Sequence, residues 1–304
     1  MTIPKVSVII PTYNRPSLVV RSIKSVLSQT YEDFEILVMD DSRNEETKNA
    51  VAEINDDRVR YIHNVERLGF VNNKNQGVRL SNPSSEYIAF LDDDDEYLPL
   101  FLERTVTHLQ KDLEIFAVTT AAELRTQKGE FVRIYPHENI VWQTPIGNSW
   151  VLRRDVFFKD NIWFDASVVF EDLDFGFAVS RRHRLAYLPD VLRIYYGYPA
   201  PGEQSMTQNR NIPADKIEAF WGKNKVAYMA IGPKASAWVQ MLTGKWLLKT
   251  GHTARGRKYL FNSFKTHPTS SAIFFLIAAF IAPSLFHNIN AMIIKNKLLK
   301  LISS

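Results

Sequence analysis

The feature that most narrows what this chain can fold into is a run of large apolar side chains, Tyr87, Ile88, Ala89, Phe90 and Leu91, that stops in four aspartates, Asp92, Asp93, Asp94 and Asp95. Such a run reads as a buried strand. Four carboxylates at its end repel one another, and removal from water worsens the repulsion. Two arrangements relieve this. The aspartates can form a solvated turn before the next helix, where negative charge is favourable. Alternatively they hold a cation at the carboxyl edge of a parallel sheet, where open α/β folds bind ligands. The apolar strand, and the polar residues that end earlier strands, favour the cation.

Those earlier strands set the frame. A buried strand over 6–10 breaks at Pro11, Thr12, Tyr13, Asn14, Arg15 and Pro16, a proline-asparagine turn. Ser17 is placed to cap the next helix, with Leu18, Val19, Ile23, Val26 and Leu27 on its apolar face. A second strand over 34–39 ends in Asp40, Asp41 and Ser42. A helix over 46–54, a strand over 59–62, a turn at 66–70, a helix over 72–80 and a helix over 98–109 complete the pattern. Strands alternating with helices imply a parallel sheet with helices on both faces. Right-handed crossovers then bring every strand's carboxyl end to one rim. Three polar clusters, at 12–15, 40–42 and 92–95, therefore line one crevice.

Further on, a strand is expected over 115–120, a hairpin turn at 125–129, an irregular loop over 142–151 and a strand over 149–152. A second apolar-to-acidic junction runs through Val168, Val169, Phe170, Glu171 and Asp172. A helix over 175–182 and a short strand over 185–192 follow it. Residues 195–209 read as a loop long enough to act as a lid.

Charge divides the chain. Glu218 is the last acidic residue, and the stretch beyond Phe220 holds 12 Lys or Arg, leaving 25 basic against 33 acidic side chains before it. An acidic body with a basic, apolar tail suggests two parts that meet different partners. The expected division is a catalytic domain over 1–214 and a helical, basic region over 215–304. In that region 238–248 reads as an amphipathic helix with Trp238, Met241, Leu242, Trp246 and Leu247 on one side. The apolar run at 272–282 is too short to span a bilayer. Residues 289–302, with Lys295, Lys297 and Lys300, have the composition of a helix lying in a membrane surface. The alternative is a helical subdomain packed on the core with its lysines solvated; the acid-free composition suits anionic lipid. Nucleic acid is not an expected partner, since the basic excess sits beside apolar runs. No leader segment is visible, so the catalytic part is expected in the cytoplasm.

The absence of cysteine excludes thiolate metal sites and leaves an oxygen-ligated cation. Such a cation commonly binds phosphate oxygens too, and a nucleoside diphosphate is the natural guest. Asp40 and Asp41 are placed to accept hydrogen bonds from a base or ribose. Pro11, Thr12 and Tyr13 can hold the base, while Arg15, Arg67 and Lys74 can balance phosphate charge. A departing diphosphate needs its charge stabilised, and an attacking hydroxyl needs a base. Asp172 is the candidate base; on local pattern alone it can equally be a helix-capping carboxylate.

In order along the chain, Val6 to Arg15, Ser25 to Tyr31, Val38-Met39-Asp40-Asp41-Ser42, Phe90-Leu91-Asp92-Asp93-Asp94-Asp95 and Glu171-Asp172 together resemble family 2 glycosyltransferases of the GT-A fold. The likeness covers roughly residues 4–200. It implies an α/β fold, Rossmann-like, with a mostly parallel sheet flanked by helices and a C-terminal helical, basic, membrane-associating region. It implies transfer of a sugar from a nucleotide diphosphate to a hydroxyl with inversion. Asp41 matches the position that binds uracil, and Asp92, Asp93 and Asp94 match the D-x-D element. Asp94 is then the direct ligand to Mn²⁺ or Mg²⁺, with Asp92 beside it, and Asp172 the general base. Trp150 and Glu171 fall on the acceptor side.

The family's usual Asp-Ser-Asp-Asp is Asp-Asp-Asp-Asp here, and no Gln-x-x-Arg-Trp element appears. That argues against a processive polysaccharide synthase. The basic, apolar tail is similar to bacterial enzymes that assemble O-antigen or capsule repeat units on undecaprenyl diphosphate. UDP-glucose as donor, GlcNAc-diphosphate-undecaprenol as acceptor and a β1,3 linkage are what the resemblance points to first, at the cytoplasmic face of the membrane. A nucleotidyltransferase would want a glycine-rich phosphate loop after the first strand, where Pro11-Thr12-Tyr13-Asn14 stands. A non-catalytic module binding nucleotide sugars or lipid phosphates would differ from the enzyme only in lacking turnover.

Overall fold

The computed structural model describes residues 4–126, 129–133, 150–196 and 212–281. Residues 142–149 of the irregular loop expected over 142–151, residues 197–209 of the lid expected over 195–209, and the basic segment at 289–302 lie outside them. Two compact units emerge, Met1–Ala166 with Glu171–Glu203, and Ser167–Phe170 with Gln204–Ser304.

In the first unit nine strands form one sheet among the described residues. Strand β1 (Val6–Thr12) lies at its heart, buried along all seven residues. It pairs in parallel with β2 (Phe34–Asp40), and β2 in turn with β3 (Val59–His63). On its other side β1 pairs in parallel with β4 (Tyr87–Phe90). The crossovers are helices α1 (Pro16–Leu27), α2 (Glu46–Ala52) and α3 (Phe70–Leu80). Near-continuous apolar strands of this kind need cover on both faces, and two core clusters provide it. Val8, Ile10, Ile23, Val38, Ala89 and Phe101 belong to one face; Ile9, Leu37, Met39, Phe90 and Phe164 to the other.

Register places the polar clusters together. Thr12 pairs with Asp40 at the carboxyl ends of β1 and β2, while Ile9 pairs with Phe90 at the end of β4. The aspartates that follow β4 thus emerge beside the turn that follows β1. After them come β5 (Glu96–Tyr97) and helix α4 (Phe101–Lys111). The sheet then turns mixed. β6 (Ile115–Thr126) pairs with β7 (Gly129–Arg133) and with β8 (Val151–Arg153), both antiparallel. It also pairs in parallel with β9 (Arg184–Tyr196), beyond the short helix α5 (Asp155–Phe158) and α6 (Glu171–Ser180).

Several local expectations shift. Ser17 does not cap α1, because Pro16 takes the first helical position with Arg15 as the capping residue. β9 runs past Pro189 to Tyr196, and its register with β6 slips between Thr120 and Ala121, pairing Leu188 and then Val191. Proline has no N–H for the ladder, and the bulge absorbs it. Helix α6 starts at Glu171 rather than 175, so Glu171 and Asp172 occupy its first turn, where the helix dipole favours carboxylates.

The second unit contains helices α7 (Ala214–Ile231), α8 (Pro233–Lys249), α9 (Thr253–Thr266) and α10 (Ser270–Ile281). The buried stripe of α8 runs through Val239, Thr243, Gly244, Leu247 and Leu248, not through Trp238, Met241, Leu242 and Trp246. The reason is close helix packing. A Cβ on Gly244 would meet the carbonyl oxygen of Gly256 at 3.0 Å, so α8 meets α9 along its small residues. No helix among the described residues is long and apolar enough to cross a membrane.

Candidate active site

The site is built on three turns and one helix start. At the first turn, Thr12 Oγ1 donates to Asp93 Oδ2 at 2.7 Å, and Arg15 Nη1 donates to Asp93 Oδ1 at 2.9 Å and Asp94 Oδ2 at 3.1 Å. One guanidinium thus bridges two of the four carboxylates. The backbone of the acidic run is pinned from α1. Ser22 Oγ lies 2.8 Å from the Asp93 carbonyl and 2.7 Å from that of Asp95, and Arg21 donates to the Asp94 carbonyl. Asp95 Oδ1 accepts from the Tyr196 amide at 3.0 Å, tying the run to the end of β9. Ser22, Arg21 and Tyr196 escaped the sequence reading. Ser22 alone left a signal, a hydroxyl on the face of α1 where apolar residues were expected.

Asp92, Asp94 and Asp95 each offer a carboxylate oxygen within 4.8 Å of the others. Asp92 Oδ1 is buried and has no hydrogen-bond partner among the described residues. Burial first, opposed by Lys74 and reinforced by Asp94, Asp172 and Asp93, pushes the Asp92 carboxyl up to about 7. Burial likewise raises Asp93 to about 6 against the pull of Arg15, and holds Asp95 well above the usual carboxylate range. Crowded, all-oxygen and with Asp92 Oδ1 unpartnered among the described residues, this donor set suits a hard divalent cation.

The second turn has a different logic. Asp40 is wholly buried; Oδ1 accepts from the Ser42 amide and hydroxyl, and Oδ2 from Tyr61 Oη at 2.6 Å. Ser42 Oγ in turn accepts from the Asn14 amide at 2.7 Å, fixing the first turn, where Asn14 has φ +55°. Asp40 is therefore committed to the protein interior rather than turned to a base or ribose. Asp41 Oδ1 accepts from Asn64 Nδ2 at 2.8 Å and the Leu68 amide at 3.2 Å, and Oδ2 from the Gly69 amide at 2.9 Å. It ties the 66–70 turn to the rim, and Gly69, at φ +75°, supplies a conformation other residues rarely adopt. That turn brings the Arg67 guanidinium over the Tyr13 ring, 4.0 Å from its centroid.

Lys74 does not stand at the surface awaiting phosphate. It is wholly buried beneath the rim, with Nζ 4.1 Å from the Phe70 ring centroid and 5.2 Å from that of Phe164. Nζ lies 3.3 Å from Asp172 Oδ1. Burial opposes its charge, but Asp172, Asp92 and Glu171 outweigh it and hold the ammonium more basic than usual. Glu171 is raised to about 8 by burial and by Asp172 beside it. Trp150 also departs from the acceptor-side expectation. It is 3% exposed and packs in the core with Leu152 and Phe175, one residue before β8 begins.

These four segments converge in the order Thr12–Arg15, Asp41, Asp92–Asp95 and Asp172 that the sequence displays, and residues 7–169 match the family described as Glycosyl transferase family 2. The chain belongs to that family. As a family 2 glycosyltransferase it shares the GT-A fold with a mannosyltransferase from Pyrobaculum calidifontis solved in complex with GDP-Man and Mn²⁺. The TM-score is 0.61 at 20% identity, covering 94% of this chain and 84% of that one. Over shorter stretches the glycosyltransferase is 45% identical to a GalNAc(5)-diNAcBac-PP-undecaprenol beta-1,3-glucosyltransferase of Campylobacter jejuni, a match covering 31% of each chain. It is 36% identical to an Escherichia coli UDP-Glc:alpha-D-GlcNAc-diphosphoundecaprenol beta-1,3-glucosyltransferase, over 35% of this chain and 42% of that one. Both matches span less than half of the relative's length.

Proposed function

We propose that this glycosyltransferase moves glucose from UDP-glucose to a sugar-diphosphate-undecaprenol, with GlcNAc as the acceptor sugar and a β1,3 linkage. It does so once per encounter and with inversion, during assembly of O-antigen, lipopolysaccharide or capsule repeat units. The donor sugar and linkage draw support from two relatives whose names share β1,3-glucosyl transfer and an undecaprenyl-linked acceptor. Their acceptor sugars differ, so the GlcNAc assignment leans on one of them.

The observation that carries the reading is the pairing of two carboxylates of opposite character. Asp92 has a buried oxygen without a partner among the described residues, and Asp172, on a helix start, is anchored by a lysine. In this reading Asp94 and Asp92 hold Mn²⁺ or Mg²⁺, with Asp95 behind them. When bound, the cation supplies Lewis-acid stabilisation of negative charge on the departing diphosphate. Asp93 is kept by Thr12 and Arg15 so that the run faces the rim, and Arg15 can exchange Asp94 for a phosphate oxygen. Asp41 and Tyr13 receive the uracil, with Pro11, Thr12 and Arg67 around it. Asp40 acts at one remove, by fixing Ser42. Asp172 accepts the proton of the acceptor hydroxyl as that oxygen attacks the anomeric carbon opposite the leaving group. Glu171 stands on the acceptor side. Residues 1–214 form the catalytic domain, and 215–304 attach it to the cytoplasmic face of the membrane as a peripheral protein.

The test is a screen of nucleotide sugars against lipid-linked acceptors with Mn²⁺, read by mass spectrometry. A hexose added to GlcNAc-diphosphate-undecaprenol from UDP-glucose is expected. Consumption of a nucleoside triphosphate with pyrophosphate release, or donor binding without turnover on any acceptor, would overturn the reading.

A further inference from the structure

Helix α10 carries apolar side chains around its whole circumference, and only part of that surface is used. Phe275, Ala278 and Ala279 are buried with Leu248 of α8 and Leu260 of α9. The opposite side presents Ile273, Ile277, Phe280 and Ile281, each between 44% and 78% exposed. Their spacing of four, three and one residues makes a continuous stripe along the helix. Such a stripe on a soluble surface marks a place where something else sits.

Beside it runs a second line, on α9. Arg257, Phe261 and Lys265 follow one another at intervals of four and so share a face. Arg257 Nε donates to the Ala279 carbonyl at 3.1 Å, and its guanidinium lies 4.6 Å from the Phe280 ring centroid. The start of α9 therefore meets the end of α10, and the two lines lie side by side. Phe261 is exposed, with Lys265 Nζ 5.0 Å from its ring centroid. Neither helix contains an acidic residue, and none occurs anywhere after Glu218.

From these observations we infer that the α9–α10 face is the surface by which the chain docks on an anionic lipid bilayer, with the stripe of α10 entering the headgroup–acyl boundary. The charge pattern selects this occupant. An apolar helix face rimmed by Arg and Lys is what such a boundary attracts. A second copy paired about a two-fold axis would set Arg257 and Lys265 against their own equivalents or near them, which repels. The chain's own segment beyond residue 281 carries Lys295, Lys297 and Lys300 and no acid, so it matches this rim no better. The inference locates the membrane attachment of the proposed function on described residues, and it rests on that reading for its biological purpose. A lipid-linked acceptor has to be met at the bilayer surface.

Full-length protein is floated with vesicles of phosphatidylcholine alone and with added phosphatidylglycerol, at low and high salt. Wild type is expected to float with the anionic vesicles and weakly or not at all with neutral ones. The double variant Ile277→Ser/Phe280→Ser is expected to lose vesicle partition by about tenfold or more. Lys265→Glu, a change at an exposed position outside the packed core, is expected to lose several-fold at low salt and little at high salt. Wild type that ignores anionic vesicles overturns the inference, as do variants that both float like wild type. A double variant that breaks a dimer in sedimentation without changing flotation assigns the face to a second copy instead. Transfer to a detergent-solubilised acceptor is measured on the same samples. Vesicle binding lost in the variants with no transfer by any sample leaves the docking surface standing and defeats the proposed function; transfer without vesicle binding does the reverse.

Discussion

Lys74 Nζ stands 3.3 Å from Asp172 Oδ1, and the lysine is wholly buried while the aspartate is 35% exposed. The bridge thus joins a fixed interior cation to a carboxylate that still reaches solvent. In the proposed mechanism it gives Asp172 one oxygen to be held by and one to take a proton. Replacing the lysine leaves Asp172 to swing out, and leaves Asp92 and Glu171 without their nearest interior countercharge. Lys74→Met is expected to lower kcat about 10²-fold while moving the donor KM less than about threefold. Breaking a fully buried pair costs roughly 3–5 kcal/mol, and the exposure of Asp172 brings the expected loss nearer 2. Steady-state kinetics and urea unfolding read the two effects. A donor KM raised with kcat intact would instead make Lys74 a donor-binding group.

The Asp94 side chain is 32% exposed, and Arg15 already contacts it at 3.1 Å. If the acidic run holds a cation, chelation by EDTA should abolish transfer and added Mn²⁺ should restore it. Asp94→Ala should lose transfer by about 10³-fold or more and lose Mn²⁺-dependent UDP binding in calorimetry, with the unfolding midpoint little changed. Asp94→Ala with near wild-type turnover, or full activity in EDTA, would remove the cation from the mechanism.

Tyr61 is the residue that keeps Asp40 inside. Its hydroxyl donates to Asp40 Oδ2 at 2.6 Å, and burial with that bond holds the phenol well above its ordinary pKa. Tyr61→Phe leaves one oxygen of a wholly buried carboxylate unpaired. A stability loss of about 1–3 kcal/mol is expected, measured by chemical unfolding. Asp41→Ala should act differently, raising the donor KM through the loosened 66–70 turn and loss of the proposed uracil contact. Equal effects of the two substitutions on donor KM would contradict the division of labour between the adjacent aspartates.

The sheet and its rim were legible because the information is one-dimensional. Buried parallel strands read as apolar runs, and each ends in residues that only a turn or a site would use. The acidic run at 92–95 and the Glu171-Asp172 junction could be located in that way. Partners across the sheet could not. Nothing in the sequence says that Asp40 faces Tyr61 while Asp41 faces Gly69, since neighbouring residues on a strand end point to opposite sides. Lys74 misled for a related reason: a lysine on a polar helix reads as solvated, and only the packing of Phe70 and Phe164 around it shows that it is not. Trp150 and α8 failed through size. Large aromatic residues were read as the contact face, whereas Gly244 and Gly256 decide where α8 and α9 touch.

The crowded carboxylates also make stability depend on pH in a direction opposite to that of salt-bridged acids. Without metal, Asp93 holds its proton to about 6, Asp92 to about 7 and Glu171 to about 8, each raised first by burial. The unfolded chain gives up the same protons near ordinary carboxylate values, about 4. Between pH 4 and 8 the folded state therefore binds more protons than the unfolded one, and stability falls as pH rises. Metal-free protein should show a Tm lower by roughly 5 °C or more at pH 8 than at pH 5.5, once acid effects elsewhere are matched with an Asp92→Asn control. The control should flatten the slope and raise the metal-free Tm at pH 8, since it removes a buried charge that Lys74 offsets only in part. Saturating Mn²⁺ with UDP should flatten the wild-type slope as well, because the ion takes the place of the protons. A metal-free Tm that climbs from pH 5.5 to 8 would mean that the run is already neutralised by the protein itself, with Arg15 and Lys74 sufficient.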